Sequence, residues 1–255
     1  SLRSPAPGVV WDLSSRGPCL DGRIAPLTAA PGVDIYSCAP NEWHALQTGT
    51  SMAAAHASGV AAVIARHILD TCAASPSPAA IRGLLVALAE PISDQIPDMA
   101  SGFGVVSIHD LPGFNPELSL MDQRRILTRT GDHYDFRVAV IDTDKPLRIA
   151  LCWTDPPAAP DASPALINDL SLDISSGASR FTGNAFSGRF SMPGGTRDHL
   201  NTIELIAIEH PEPVVDGRIL AETIRGDGIP DNDFPPDQAF TIVAINGIPV
   251  ESDPR

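Results

Sequence analysis

Apolar positions along this chain change rhythm once, near residue 113, and the change separates two kinds of structure. Before that point short apolar runs alternate with helical ones. Val9–Leu13 reads as a short strand, followed by the turn-rich Ser14-Ser15-Arg16-Gly17-Pro18, and Asp34–Ser37 reads as a second strand after the loop Ala30-Pro31-Gly32. From Ser51 to Leu69 the pattern predicts an Ala-rich helix, whose small residues Ala53, Ala54, Ala57, Gly59 and Ala62 suit close packing against a sheet. Ser75-Pro76-Ser77-Pro78 is a helix-start signal. It introduces a second helix over Ala79–Ala89, with Ile81, Leu84, Leu85 and Leu88 on one face, and Gly102–Val106 reads as a short closing strand. Beyond Leu111-Pro112-Gly113 come β-rich runs with no long helix between them: Asp135–Asp142, Leu147–Thr154, Leu170–Ile174, Asn201–Ile208, Arg218–Ile224 and Phe240–Ile245. Pro, Gly and Asp separate these runs, the signature of an antiparallel sandwich. The expected architecture is therefore an α/β part, residues 1–113, followed by an all-β part, residues 114–255.

Composition and charge narrow the partners. Hydrophobic residues make up 43% and charged residues 19%, enough apolar matter for a buried core. The longest apolar stretch, around Val60–Ile64, is broken by Arg66 and His67, so no membrane span is expected. Seventeen basic against thirty-one acidic residues give a net charge of −14, which repels nucleic-acid phosphate and anionic membranes; neither is an expected partner. The 25 Pro and 20 Gly exceed their usual joint share of about 12%, which argues for many turns and against a helical bundle. Cys19, Cys38, Cys72 and Cys152 show no metal-ligand spacing; Cys19 and Cys38 are open to pairing or to remaining free thiols, and Cys152 beside Trp153 reads as core. The sequence starts at Ser1, without methionine, as a processed terminus or the edge of a fragment would.

Gly49-Thr50-Ser51-Met52-Ala53 carries the chemistry. A serine in the first turn of a helix lies among backbone N–H groups without intrahelical partners, and the helix dipole favours negative charge developing there. Gly49 permits a close backbone approach just before it, so the Ser51 N–H could stabilise an oxyanion while its Oγ attacks a carbonyl. The plainer reading makes Ser51 a helix cap.

The longer segment Gly49-Thr50-Ser51-Met52-Ala53-Ala54-Ala55-His56-Ala57-Ser58-Gly59 resembles the nucleophile segment of the subtilisin-like serine proteases, the subtilases. Ser14-Ser15-Arg16-Gly17-Pro18, Asp21-Gly22-Arg23-Ile24, Ala30-Pro31-Gly32 and Gly102-Phe103-Gly104-Val105-Val106 match the same family in order and spacing. The second half resembles the jelly-roll domain that follows the catalytic domain in kexin-like and alkaline-protease-type members, through Cys152-Trp153-Thr154-Asp155, Leu166-Ile167-Asn168-Asp169-Leu170 and the segment Arg197–Glu204. The resemblance spans roughly residues 9–246 and implies a partial subtilisin-like parallel-sheet domain followed by a jelly-roll sandwich.

It further implies that Ser51 is the acyl-enzyme nucleophile of a Ser-His-Asp triad, with Gly49, Thr50 and Ser51 forming the nucleophile and oxyanion loop. In that family the Asp and His lie far upstream, and only fifty residues precede Ser51. The triad partners and the oxyanion-hole Asn are therefore expected before Ser1, and the isolated chain is expected to be inactive. His44 reads as a loop residue, His56 as a packing residue of the helix, and Asp12, Asp21 and Asp34 as turn carboxylates. Ala55 departs from the family's usual proline at this position.

Calcium is the expected cofactor, at Asp227, Asp231 and Asp233 in a Gly-containing acidic turn or at Asn168 and Asp169 in the second half. The chain then reads as the carboxy-terminal portion of a secreted or cell-envelope serine endopeptidase. Its partners would be a polypeptide substrate and the amino-terminal part of the same protease domain. The alternative is a non-catalytic β-sandwich module carrying a vestigial protease remnant, which an in-frame upstream Asp and His would exclude.

Overall fold

A computed structural model describes residues 8–41, 43–109, 118–225 and 237–250. Among these residues the fold is mostly β-sheet, with two helices. In chain order the elements are β1 (Ile35–Ala39), β2 (Trp43–Gln47), α1 (Thr50–Cys72), α2 (Pro78–Ala87), β3 (Leu118–Leu127), β4 (His133–Val140), β5 (Leu147–Trp153), β6 (Asp169–Ser176), β7 (Ser179–Ser187), β8 (Phe190–Pro193), β9 (Ile203–Ile208), β10 (Val214–Thr223), β11 (Gln238–Ile245) and β12 (Gly247–Val250).

Two sheets share one core. A six-stranded sheet runs β12-β4-β10-β6-β7-β8, a four-stranded sheet runs β3-β11-β5-β9, and every ladder between these strands is antiparallel. Leu147, Ile149, Leu151 and Trp153 of β5 meet Leu170, Leu172 and Ile174 of β6 and Val215 and Ile219 of β10 in a single buried cluster. The alternate residues of β5, Ala150 and Cys152, point the other way and join Val243, Ile245, Ile203 and Leu205 in a second cluster. The two-residue repeat thus buries the four-stranded sheet on both faces.

Helix α2 covers that second face. Ser77 caps it, its hydroxyl accepting the Ala80 N–H at 3.0 Å, and Pro78 starts it. Ala79, Ala80, Leu84 and Val86 are buried, and Gly83 lets the helix close on the sheet: a Cβ there would lie 3.2 Å from Val243 Cγ2. Of α1, only Ile64 and Ile68 are buried.

Both helices and seven of the strands stand where the hydrophobic pattern puts them. Four strands were not anticipated in the second half: β3, β7, β8 and β12. β3 carries Asp122-Gln123-Arg124-Arg125 in mid-strand and β7 is mainly small and polar, while β8 and β12 are four residues each.

In the amino-terminal part Val9–Leu13 is not a strand but a turn, with Ser14 N–H bonded to Trp11 O at 2.9 Å and Val9 and Leu13 exposed. The strand expected at Asp34–Ser37 is β1, and it forms an antiparallel hairpin with β2. A parallel sheet is absent among the described residues; the one parallel pairing there is the single bridge between Ala29 and Val105. Gly102–Val106 likewise forms bridges, to Thr28, Ala29, Glu90 and Asp98, rather than a strand. α1 also corrects the membrane argument: its 23 residues are long and apolar enough to cross a bilayer by length and composition. Arg66 and His67 lie near its end and do not shorten it enough to matter.

Candidate active site around Ser51

Gly49 is the N-cap of α1, in an extended conformation and with no side-chain hydrogen bond capping the helix. Its carbonyl receives Met52 N–H at 3.1 Å and Ala53 N–H at 3.4 Å, and its own N–H reaches Gly32 O at 2.8 Å. The Ala30-Pro31-Gly32 loop therefore abuts the start of the helix. A Cβ on Gly32 would sit 2.8 Å from Gly49 O and 3.0 Å from the Ala53 side chain, so the contact requires glycine.

Ser51 stands inside this first turn, not at the cap, and is exposed. Among the described residues its hydroxyl makes no hydrogen bond, so the capping reading fails. The first turn holds no acidic residue, leaving the Thr50 and Ser51 N–H groups and the positive end of the dipole open to a developing anion among the described residues. Thr48 steadies the approach, its hydroxyl accepting Asp34 N–H at 2.9 Å and lying 3.4 Å from Asp34 Oδ1.

No base accompanies the serine among the described residues. His44 lies on β2, stacked on Tyr36 with ring centroids 5.4 Å apart and with Nε2 3.7 Å from Cys38 Sγ. His56 lies on α1, exposed rather than packed, with Nδ1 3.2 Å from Met52 O one turn back. The uncovered side of α1 offers it nothing to pack against. Asp12 and Asp21 sit in turns and Asp34 at a bend, and Asp21 is engaged by Arg23 at 2.7 Å.

The sequence pattern of the subtilase family matches residues 5–104, less than half of the chain. The similarity to subtilases is confined to that segment. The chain is also similar to pyrolysin of Pyrococcus furiosus, 50% identical over 54 residues, which make up 20% of this chain and 4% of that protein. The match thus spans a small part of that curated relative's length. Within the subtilase segment lie both the Gly49–Ser51 turn and the Gly102–Gly104 turn, whose N–H and carbonyl groups bond Leu27, Ala29 and Asp98.

The metal-site expectations meet different fates. Asp227, Asp231 and Asp233 lie outside the described residues. Asn168 is fully engaged: its Nδ2 donates to Gln238 Oε1 at 2.9 Å, its Oδ1 accepts Arg225 N–H at 2.9 Å, and its carbonyl accepts Trp153 Nε1–H at 3.0 Å. Asp169 differs. Its Oδ2 is 2.7 Å from His199 Nδ1, while its Oδ1 is buried without a partner. Two more buried oxygens in the same situation, Ser171 Oγ and Glu204 Oε1, escaped sequence reading. Glu204 occupies the end of the spacing Asp198-x-x-Asn201-x-x-Glu204, the one signal that could have marked it. Of the two alternatives left open for Cys19 and Cys38 the structure has the free thiols, and Cys72 and Cys152 are free as well.

Proposed function

We propose that the chain is the carboxy-terminal portion of a secreted or cell-envelope serine endopeptidase, with Ser51 as the acyl-enzyme nucleophile acting on a polypeptide. Residues 1–113 then complete a subtilisin-like α/β catalytic domain, and residues 114–255 form its jelly-roll domain. The observation that carries this reading is the exposed, unbonded Ser51 hydroxyl in the uncapped first turn of α1, inside the subtilase match. In the assembled enzyme Ser51 Oγ gives its proton to a histidine supplied by the preceding part of the domain and adds to the scissile carbonyl. The Ser51 N–H stabilises the oxyanion, the tetrahedral species expels the amine, and water hydrolyses the ester. The same preceding part would cover α1, of which only Ile64 and Ile68 are buried among the described residues. Among the described residues no base reaches Ser51, and the chain alone would accordingly be inactive.

A fluorophosphonate probe tests the reading. In a polypeptide that includes the preceding part of the domain, labelling should occur at Ser51 and vanish in Ser51→Ala, whereas the 255-residue chain should remain unlabelled. Absence of labelling in the longer polypeptide would favour a non-catalytic sandwich module with a protease remnant.

A further inference from the structure

A thiol and an imidazole meet on the hairpin of β1 and β2, apart from the serine that follows it. Cys38 stands directly opposite His44, and Tyr36 opposite Leu46. Residues two apart on a strand share a face, so Tyr36, Cys38, His44 and Leu46 lie on one side of the hairpin. Cys38 Sγ is 3.7 Å from His44 Nε2, within reach of a hydrogen bond to sulfur. The imidazole also stacks on the Tyr36 ring, with centroids 5.4 Å and planes 22° apart. The residue two before the cysteine thus holds the ring in place beside it. Cys38, His44 and Tyr36 are all exposed.

The other thiols lack this arrangement. A cysteine attacks as thiolate, so its reactivity follows access and a place for its proton to go. Cys72 is exposed too, but it is the last residue of α1, where the negative end of the helix dipole opposes charge growing on sulfur. Its neighbour is the Thr71 hydroxyl at 3.7 Å, which is no base. Cys19 is half-buried, and Cys152 lies in the core beneath α2. Among the described residues, Cys38 is the cysteine that combines exposure with a proton acceptor held against it. A metal centre is a poor reading of the same pair, because no third carboxylate, imidazole or thiol joins it among the described residues.

We propose that Cys38, with His44 as its base, is a modification site that exchanges with low-molecular-weight disulfides. Cys38 Sγ passes its proton to His44 Nε2 and attacks one sulfur of the incoming disulfide. The S–S bond of that molecule breaks, and its second sulfur leaves with the electron pair and takes the proton from the imidazolium. The products are a mixed disulfide on Cys38 and one free small thiol: the protein sulfur is oxidised and the departing sulfur reduced. The face is open, so the site selects by reactivity and not by shape. The hairpin carries no second cysteine to resolve the adduct, which therefore lasts until an external thiol reverses the exchange. The modified hairpin leads through Thr48 into the Gly49–Ser51 turn, and the proposal stands whether or not Ser51 is catalytic.

The test incubates the 255-residue chain with oxidised glutathione at neutral pH and follows each cysteine by peptide mass spectrometry. Cys38 should form the mixed disulfide about tenfold faster than Cys72, and reduced glutathione should remove it. His44→Phe keeps a ring for Tyr36 to stack on but removes the proton acceptor, and should bring Cys38 down to the rate of Cys72. His44→Gln, polar but not basic, should do the same. In concentrated urea Cys38 and Cys72 should react alike, and neither variant should change either rate. Equal rates at Cys38 and Cys72 in the native parent overturn the proposal, whatever the variants do. So does a Cys38 rate that His44→Phe or His44→Gln leaves at the parental value or raises.

Discussion

The carboxylate of Asp122, on edge strand β3, accepts both the backbone N–H of Ser77 at 2.7 Å and its hydroxyl at 2.5 Å. Ser77 is the N-cap of α2, so the strand grips the helix at the residue that starts it. Thr241 of β11 donates to the same carboxylate at 2.7 Å. The other end of α2 is held from β5, where Arg148 donates to Ala89 O at 2.6 Å and Val86 O at 3.3 Å, and Arg82 returns a bond to Trp153 O at 2.7 Å. An acid at the helix start and a base at its end both favour the helix dipole.

Asp122→Ala should accordingly destabilise the chain by about 2–3 kcal/mol, the cost of losing charge-assisted bonds and stranding their donors. Asp122→Asn, which keeps an acceptor, should cost about half as much. Urea unfolding measures both, with an unchanged m-value. A loss under about 0.5 kcal/mol for Asp122→Ala would show that the helix docks through its apolar face alone.

Asp122 also marks a limit of what the sequence reveals. β3 escapes the pattern because polar and charged residues fill its centre, and its pairing with β11 is interrupted by an irregularity that skips Gln123 and Arg124 between Asp122 and Arg125. Such a bulge re-aims side chains and spoils the two-residue repeat on which strand detection rests. β5, β6 and β11 were legible because their apolar residues alternate or run continuously. Val9–Leu13 misled for the opposite reason: it has strand-like composition but no described strand beside it, and composition cannot supply a partner.

The closing turn of the subtilase segment depends on two glycines. Gly102 has φ +62°, and a Cβ there would lie 2.2 Å from Leu27 O; Gly104 has φ +132°, with Glu90 O at 2.2 Å. Backbone cannot yield to such contacts as a flexible side chain can. Gly102→Ala should cost about 3 kcal/mol or more, combining left-handed strain with a backbone clash. Thermal unfolding tests this, and a melting temperature within a degree of the parent would refute it.

The nucleophile turn proposed at Ser51 can be read from sequence because the chemistry proposed for it needs particular residues in contiguous order, Gly49, Thr50 and Ser51. The buried corner at Glu204 cannot, since Glu204 reaches the Leu172 N–H only after β6 and β9 are brought together. Ser51 itself is exposed and unbonded, so Ser51→Ala should leave stability within about 0.5 kcal/mol of the parent. A larger loss in urea unfolding would mean the hydroxyl has a structural role and would weaken the nucleophile assignment.

Thiol chemistry separates the four cysteines. Cys38 and Cys72 are exposed, Cys19 is half-buried and Cys152 is buried, where desolvation pushes its thiol up to about 11. Reactivity follows thiolate and access. At pH 8 a chromogenic disulfide reagent should modify Cys38 and Cys72 quickly, Cys19 more slowly, and Cys152 only with unfolding. Rapid modification of Cys152 in the native chain would contradict its place in the core beneath α2.

Acid sensitivity should centre partly on Asp98. Burial pushes its carboxyl up, but Ser101 Oγ–H at 2.5 Å, Ser101 N–H at 2.7 Å and Ala100 N–H at 2.6 Å hold it below its ordinary value of 3.8. The unfolded chain therefore binds this proton more readily than the folded one, and stability rises with pH across the interval between the two values. The contribution is complete above the unfolded value and disappears as pH falls through the lower folded one. Asp98→Asn should cost about 1–2 kcal/mol near pH 7 and progressively less below about pH 4, where the parent's carboxyl takes up its proton. Urea midpoints of the two chains measured from pH 2 to 7 should converge at the acid end. Parallel curves across that range would mean the Asp98 bonds do not distinguish the carboxylate from its amide.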